Sequence, residues 1–302
     1  MPSEISRVAI IGAGVIGIQI ALKAARMAGN IITLTDISEK AIESSKLREE
    51  EILSNMVNTR LISGSEKERI KELIKFTSDL AGCLEGADLV IEAIIEELQP
   101  KRELFRKLDD LAPAGAILAS NSSTIPISRM EDVTRRMDKV LNIHFYDPEL
   151  IPMVDIMRGT KTSDRTMATA EKWAREIDCI PIRLKKENLG FCMNHIWHAA
   201  RIEALKMWAN GCVEFQDIDR AWIVFLRIPF GPFGLMDRVG LDTVYNVHAF
   251  YYSETKDISQ KPPDKLKEMI DRGDLGEKTG KGFYSYPDPE YAKPDFLKGK
   301  RD

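Results

Sequence analysis

Histidine and cysteine are both scarce, with four of each in 302 residues. Cys83, Cys179, Cys192 and Cys212 have no CxxC or CxxH spacing, which argues against a zinc ribbon or a disulfide framework and fits reduced thiols in a cytosolic protein. A basic excess is also missing. Lys plus Arg number 43 against 47 Asp plus Glu, a formal charge of -4, so no positive field invites DNA, RNA or an anionic membrane. No apolar run approaches the roughly 18 residues that a membrane span needs. The polar start, residues 1–7, leads into an apolar run soon broken by glycines, unlike a secretory or transit segment. The expectation is a cytoplasmic protein with no nucleic-acid or membrane partner and no metal, acting on a small molecule. Any imidazole chemistry must use His144, His195, His198 or His248.

What is present has the balance of an ordinary globular protein, with 44% hydrophobic and 30% charged residues. At about 150 residues per domain, the length points to two domains. Up to residue 184, short β-branched runs alternate with longer helical patterns, the mark of a parallel sheet covered by helices. Strands are predicted over 8–11, 31–35, 88–93, 116–120, 139–143, 153–157 and 180–184. Helices are predicted over 15–28, 38–57, 66–74, 97–111 and 163–177, the last capped by Ser163. Beyond Glu187 strand signals stop, and 191–210, 216–226, 241–253 and 264–271 read as helices. The fold class is therefore α/β, a Rossmann-type, mostly parallel doubly wound sheet over 1–187, followed by an all-α domain over 188–302. Trp197, Trp208, Trp222 and Phe225 read as core or subunit interface, and the tail from Pro287 as a loosely held end.

The first strand runs into Gly12-Ala13-Gly14-Val15-Ile16-Gly17, a G-x-G-x-x-G turn that opens an amphipathic helix. Gly12 makes the tight turn, Gly14 admits a pyrophosphate to the backbone, and Gly17 lets helix and strand pack closely. Asp36 ends the next strand about 20 residues later, where a carboxylate can accept from both ribose hydroxyls. It would repel a 2′-phosphate and no Arg follows it directly, so NAD is expected rather than NADP.

Seven collinear segments make the whole chain resemble the short, monofunctional 3-hydroxyacyl-CoA dehydrogenases, a Rossmann-type domain with a helical dimerisation domain. They begin with the glycine turn and continue through Ile91-Glu-Ala-Ile-Ile-Glu96 with Lys101, Ala119-Ser-Asn-Ser-Ser123-Thr124, and His144-Phe-Tyr-Asp-Pro148. The remainder are Gly190-Phe-Cys-Met-Asn194, Phe230-Gly-Pro-Phe-Gly-Leu-Met-Asp237 with Val239-Gly-Leu-Asp242, and Lys278-Thr-Gly-Lys-Gly-Phe-Tyr284. Some details are similar to branches with non-CoA substrates, such as diketoreductases. The resemblance implies that His144 is the catalytic base, that Ser123 holds the substrate oxygen, that Asn194 is the active-site amide, and that Glu96 and Lys101 contact the cofactor. It also implies a homodimer. Chemistry agrees: imidazole, with a pKa near 6.5, can take the proton of a secondary alcohol while hydride leaves for a nicotinamide.

Two departures from the family pattern stand out. The family's acid partner of the histidine is a Glu, whereas here it is Asp155, with one residue fewer in between, and Asp147 replaces the usual Asn before Pro148. Whether Asp155 reaches His144 is not legible in the sequence. The lysine-rich helical hairpin that holds CoA phosphates in fatty-acid members has one basic residue, Arg60, over 54–64. Lys67, Arg69 and Lys71 alternate with acids and read as a solvated face. A dehydrogenase of 3-hydroxyacyl-CoA, one of a free 3-hydroxy acid or β-keto ester, and an NAD(H)-binding protein without catalysis are the readings in play.

Overall fold

The computed structural model describes residues 4–299; residues 1–3 of the polar start and 300–302 of the tail lie outside this range. Two compact units form, Met1–Cys192 and Met193–Asp302.

The first unit is built on one sheet of eight strands: β1 Arg7–Ile11, β2 Ile31–Thr35, β3 Ile74–Thr77, β4 Leu89–Glu92, β5 Ile117–Ser120, β6 Val140–Asp147, β7 Ile151–Arg158 and β8 Ile180–Leu184. Their order is β3-β2-β1-β4-β5-β6-β7-β8. All neighbours pair parallel except β6 with β7. From β1 the chain winds outward first through β2 and then through β4, so the topological switch point lies between the carboxyl ends of β1 and β4. Helices cover both faces: α1 Val15–Ala28, α2 Glu39–Asn58, α3 Gly64–Leu73, α4 Leu80–Leu84, α5 Leu98–Leu111 and α6 Asp164–Glu176. One face buries Ile18, Leu22 and Trp173 of α1 and α6, and the other buries Phe105 and Leu108 of α5. The Ser163 hydroxyl caps α6 by accepting from Thr166 N.

The second unit contains α7 Met193–Ala209, α8 Phe215–Leu226, α9 Pro232–Val239, α10 Leu241–Thr255 and α11 Asp264–Asp271. Its core joins Leu205, Phe233, Val244, Leu266 and Phe283. Two buried carboxylates organise it. Asp219 accepts from Phe233 N, Gly234 N and the Tyr284 hydroxyl. Asp237 accepts from Phe283 N, Tyr284 N and the Tyr286 hydroxyl. Asp219 thus does for the first turn of α9 what a local capping side chain does elsewhere, satisfying N–H groups that have no partner within the helix.

Four expectations need correction. β3 follows α3 without a break: Ile74, which the helix expected over 66–74 takes in because Ile70 and Ile74 keep helical spacing, opens the strand instead, and 75–77 lie in no predicted element. β6 continues past Ile143 to Asp147, because the antiparallel partner β7 satisfies its backbone. The Gly/Pro-rich stretch before Asp237 forms α9, with Pro232 in its first turn, where a missing N–H costs nothing. The tail is anchored rather than loose through Tyr291 and Phe296: Phe296 is buried, its carbonyl accepts from Arg220 Nε, and Tyr291 stacks edge-on against Tyr284. Among the described residues, no helix is long and apolar enough to cross a membrane.

Candidate active site

The glycine turn behaves as its sequence suggests. Gly12 has φ +122°, and a Cβ there would lie 2.3 Å from the Ala93 carbonyl oxygen, so only glycine fits. A Cβ on Gly17 would lie 2.0 Å from the Gly12 carbonyl oxygen, whereas one on Gly14 would meet nothing within 4 Å. Space for a ligand therefore lies above Gly14, where α1 starts without any side-chain cap and its first N–H groups face outward. A cleft of about 430 Å³ adjoins this turn, lined by Gly12, Gly14, Asp36, Ile37, Ile94, Ile95 and Leu104 among others. Asp36 accepts from Ala13 N and Ser38 N, each at 2.9 Å, which pins its carboxylate at the cleft. Two oxygens with several lone pairs keep capacity for ribose hydroxyls. A carboxylate at the rim and a glycine cradle at a helix N-terminus fit a dinucleotide without a 2′-phosphate.

Glu96 and Lys101 are tied into the protein. The Lys101 ammonium is buried and bonds Glu92 Oε1 at 2.5 Å, with Glu96 Oε2 at 3.3 Å. Glu92, which the sequence reading did not single out, also accepts from the Ser120 hydroxyl at 2.6 Å and from Ile94 N at 2.8 Å. Glu96 Oε1 accepts from Ser123 N, Thr124 N and the hydroxyls of Ser122 and Thr124. Burial pushes the Glu96 carboxyl up, but Lys101 and these hydrogen bonds outweigh it and hold it below its ordinary value. Glu96 is therefore the post to which the Ser123 loop is fastened.

That loop brings the exposed Ser123 hydroxyl to 3.1 Å from Nε2 of His144. His144 is buried, 3% exposed, and lies within β6 rather than beyond its end. Phe191 stacks on its ring at 4.7 Å with an interplanar angle of 13°. Phe191 adopts φ +57°, a conformation that costs a bulky residue free energy, and its carbonyl accepts from the Asn188 side chain at 2.6 Å. The ring of Phe191 is a site element that sequence reasoning quoted only within a motif.

Asp155 stands directly opposite His144 in the β6–β7 ladder. Its Oδ2 is 3.7 Å from His144 Nδ1, an ion-pair separation too long for a hydrogen bond. The nearer group is the hydroxyl of Tyr146, which donates to Oδ2 at 2.5 Å. Asp155 Oδ1 and His144 Nδ1 are buried without a hydrogen-bond partner among the described residues. Asp147 is a turn residue: its Oδ1 accepts from Glu149 N and Leu150 N, and its Oδ2 from the Gln19 side chain.

Asn194 lies in the first turn of α7 in the second unit and is partly exposed. Nearby in that unit, His198 Nε2 and Gln260 Oε1 are 2.6 Å apart, and His248 accepts from Arg201 Nε. Among the described residues, no group of three or more His, Cys, Asp or Glu side chains could hold a metal ion.

In the α2–α3 hairpin, Lys67 and Lys71 both pair with Glu50 of α2, Lys71 at 2.9 Å, and Lys67 also donates to Ser54. These lysines are engaged with α2 rather than standing on a merely solvated face. Their hydrogen bonds, that of Lys67 foremost, bring the Glu50 carboxyl down to about 2.

Residues 7–188 match the model of the 3-hydroxyacyl-CoA dehydrogenase NAD binding domain, and residues 190–286 match that of the family's C-terminal domain. The 3-hydroxybutyryl-CoA dehydrogenase of Mycobacterium tuberculosis is 33% identical over 288 residues, 95% of this chain and 100% of that protein. Human mitochondrial hydroxyacyl-coenzyme A dehydrogenase is 31% identical over 289 residues, 93% of this chain and 91% of that protein. Among solved structures, (S)-3-hydroxybutyryl-CoA dehydrogenase from Ralstonia eutropha is similar with a TM-score of 0.87 and 31% identity, covering 94% of this chain and 100% of that one. A diketoreductase is similar with a TM-score of 0.84 and 33% identity, covering 95% of this chain and 100% of that one. With both of its halves matched by the family models, the chain belongs to the 3-hydroxyacyl-CoA dehydrogenase family and carries that family's NAD-binding domain.

Proposed function

We propose that the chain interconverts the 3-hydroxyl and 3-keto groups of a 3-hydroxyacyl-CoA such as 3-hydroxybutyryl-CoA, using NAD, with His144 as general base and acid. The observation that carries this reading is the 3.1 Å contact between the exposed Ser123 hydroxyl and buried His144 Nε2, in a domain whose family binds NAD. The nicotinamide supplies the hydride acceptor. When NAD is bound, Gly14 would admit the pyrophosphate beside the turn made by Gly12 and the close helix packing allowed by Gly17, Asp36 would hold the ribose hydroxyls, and Glu96, backed by buried Lys101, would border the cofactor. Ser123 donates to the substrate oxygen and Asn194 supplies a second neutral hydrogen bond, which orients the alcohol and polarises the ketone. His144 Nε2 removes the hydroxyl proton as hydride leaves carbon, and returns it in the reverse direction. Asp155, facing Nδ1, stabilises the imidazolium. Residues 1–187 act as the NAD-binding domain, and 188–302 as the substrate and dimerisation domain.

A purified sample is expected to change NADH absorbance with acetoacetyl-CoA, and His144→Gln is expected to lose about 100-fold or more in kcat while still binding NADH. Undiminished turnover in that variant removes His144 from the mechanism. NADH binding without turnover on any hydroxy acid or keto acid favours a non-catalytic role.

One observation favours a second reading, reduction of free β-keto acids or β-keto esters. The α2–α3 hairpin has one basic residue, Arg60, over 54–64, and Lys67 and Lys71, which follow on α3, are already paired with Glu50. Comparing kcat/KM for acetoacetyl-CoA, free acetoacetate and larger β-keto acids separates the two substrates. The homodimer is supported by exposed Val224, Phe225 and Leu226 on α8, with Phe225 86% exposed; a monomer in sedimentation at all concentrations contradicts it. The free cysteines, with Cys83 and Cys179 buried and their thiols pushed up to about 12 and about 11 by burial, are compatible with a reducing cytoplasm.

A further inference from the structure

We infer that Tyr146 is a positioning residue of this enzyme: its hydroxyl holds the Asp155 carboxylate in line with His144, in place of the reach that the aspartate lacks. The inference rests on the reading of His144 as the base.

The geometry begins in the ladder. Phe145 pairs with Val154 and Asp147 with Ile151, so Tyr146 alone stands against both Pro152 and Met153. This is a β-bulge on β7, and bulges re-aim side chains. His144 and Tyr146 are two residues apart on one strand and project from the same face, their rings edge-on at 4.7 Å. Asp155 is the cross-strand partner of His144, and its side chain rises between the imidazole and the phenol.

A buried carboxylate turns freely about its last torsion unless something bonds it. Here Oδ1 has no partner among the described residues, Nδ1 of His144 is 3.7 Å from Oδ2, and the 2.5 Å bond from the Tyr146 hydroxyl is what fixes the rotor. In that orientation Oδ2 faces Nδ1 at ion-pair distance, so the carboxylate meets the positive charge when the imidazole takes the substrate proton. Without the hydroxyl, neither carboxylate oxygen has a hydrogen-bond donor among the described residues, and the acid no longer has a fixed aim. Tyr146 acts on the reaction only through Asp155; no step is assigned to its own proton.

The test is a double-mutant cycle read in kcat with KM and NADH affinity followed separately. Tyr146→Phe keeps the ring and its packing, and is expected to lower kcat about 10-fold with KM and NADH binding unchanged. Asp155→Asn is expected to lower kcat about 100-fold. The double variant should be no worse than Asp155→Asn alone, because the hydroxyl then has no carboxylate to aim. Tyr146→Phe combined with Asp155→Glu should recover most of the loss, since one more methylene lets the acid reach Nδ1 directly. Wild-type kcat in Tyr146→Phe, a double variant that loses the product of both single effects, or no recovery with glutamate each overturns the inference. An inactive His144→Gln beside a fully active Tyr146→Phe defeats the tyrosine role alone, whereas a fully active His144→Gln defeats the base on which it rests.

Discussion

Buried carboxylates occur in both units, and they are treated in opposite ways. Asp219 and Asp237 in the helical unit each accept three hydrogen bonds, two of them from backbone N–H groups. Among the described residues, Asp155 on β7 accepts one, from Tyr146 at Oδ2, the oxygen that faces the unpaired His144 Nδ1 at 3.7 Å, and its Oδ1 is left unpaired. The saturated acids tie helices and turns together. On the proposed mechanism, the undersatisfied one keeps capacity for a charge that arises only during reaction, at a cost in stability that such sites commonly carry.

The largest effect expected from this contrast is on folding. Asp237→Ala strands two buried backbone N–H groups and a tyrosine hydroxyl, and should destabilise the protein by about 3–5 kcal/mol in urea titration. A loss under 1 kcal/mol would show that the acid is not what ties the turn before Tyr284 to α9. The next effect reverses the pattern: Asp155→Asn should lower turnover about 100-fold yet shift the melting temperature far less than Asp237→Asn does. Equal shifts in the two variants would erase the distinction between the acids.

pH sharpens the comparison. Burial pushes the carboxyls of Asp219 and Asp237 up to about 6 despite their hydrogen bonds. An acid whose folded pKa is raised contributes stability that is complete below its unfolded value near 3.8 and is lost as pH rises through about 6. Asp219→Asn should therefore flatten the stability profile between pH 4 and 6, by no more than ~1.4 kcal/mol per pH unit. The buried histidines of the same unit work against this slope. Burial depresses His198 to about 4, so its contribution is present above pH 6.5 and is lost as pH falls through about 4. Thermal melts across pH 4–7 for Asp219→Asn and His198→Gln should bend in opposite directions, and profiles parallel to wild type would contradict both shifts. The smallest effect separates two tyrosines. Tyr284→Phe removes one of three donors to Asp219 and should cost about 1 kcal/mol in stability. Tyr146→Phe, by contrast, should register mainly in turnover.

Much of this was legible in the chain because the signals are local. The glycine spacing, Asp36 at a strand end and the 3.6-residue periodicity of α1 each depend on near neighbours. β3 was not legible, since four residues running straight out of a helix carry too short a pattern to break its period. α9 was hidden because its first N–H groups are satisfied by Asp219, more than ten residues away, rather than by a cap in its own sequence. Glu96 reads as a cofactor contact by resemblance, but its bonds to the Ser123 loop exist only once β4 and β5 lie side by side.

Among only four histidines, the resemblance carried by the motifs around His144 pointed to it as the base, and the charge balance with the glycine turn pointed to a nicotinamide nucleotide rather than a polyanion. Residue chemistry and short-range spacing carry that information. Whether Asp155 meets His144 was decided by tertiary structure alone, through the antiparallel register of β6 and β7, the bulge opposite Tyr146 and a hydroxyl that reaches the acid first. Differences of about half an ångström in the separation of side chains on different strands follow from pairing and packing, which no single stretch of sequence encodes.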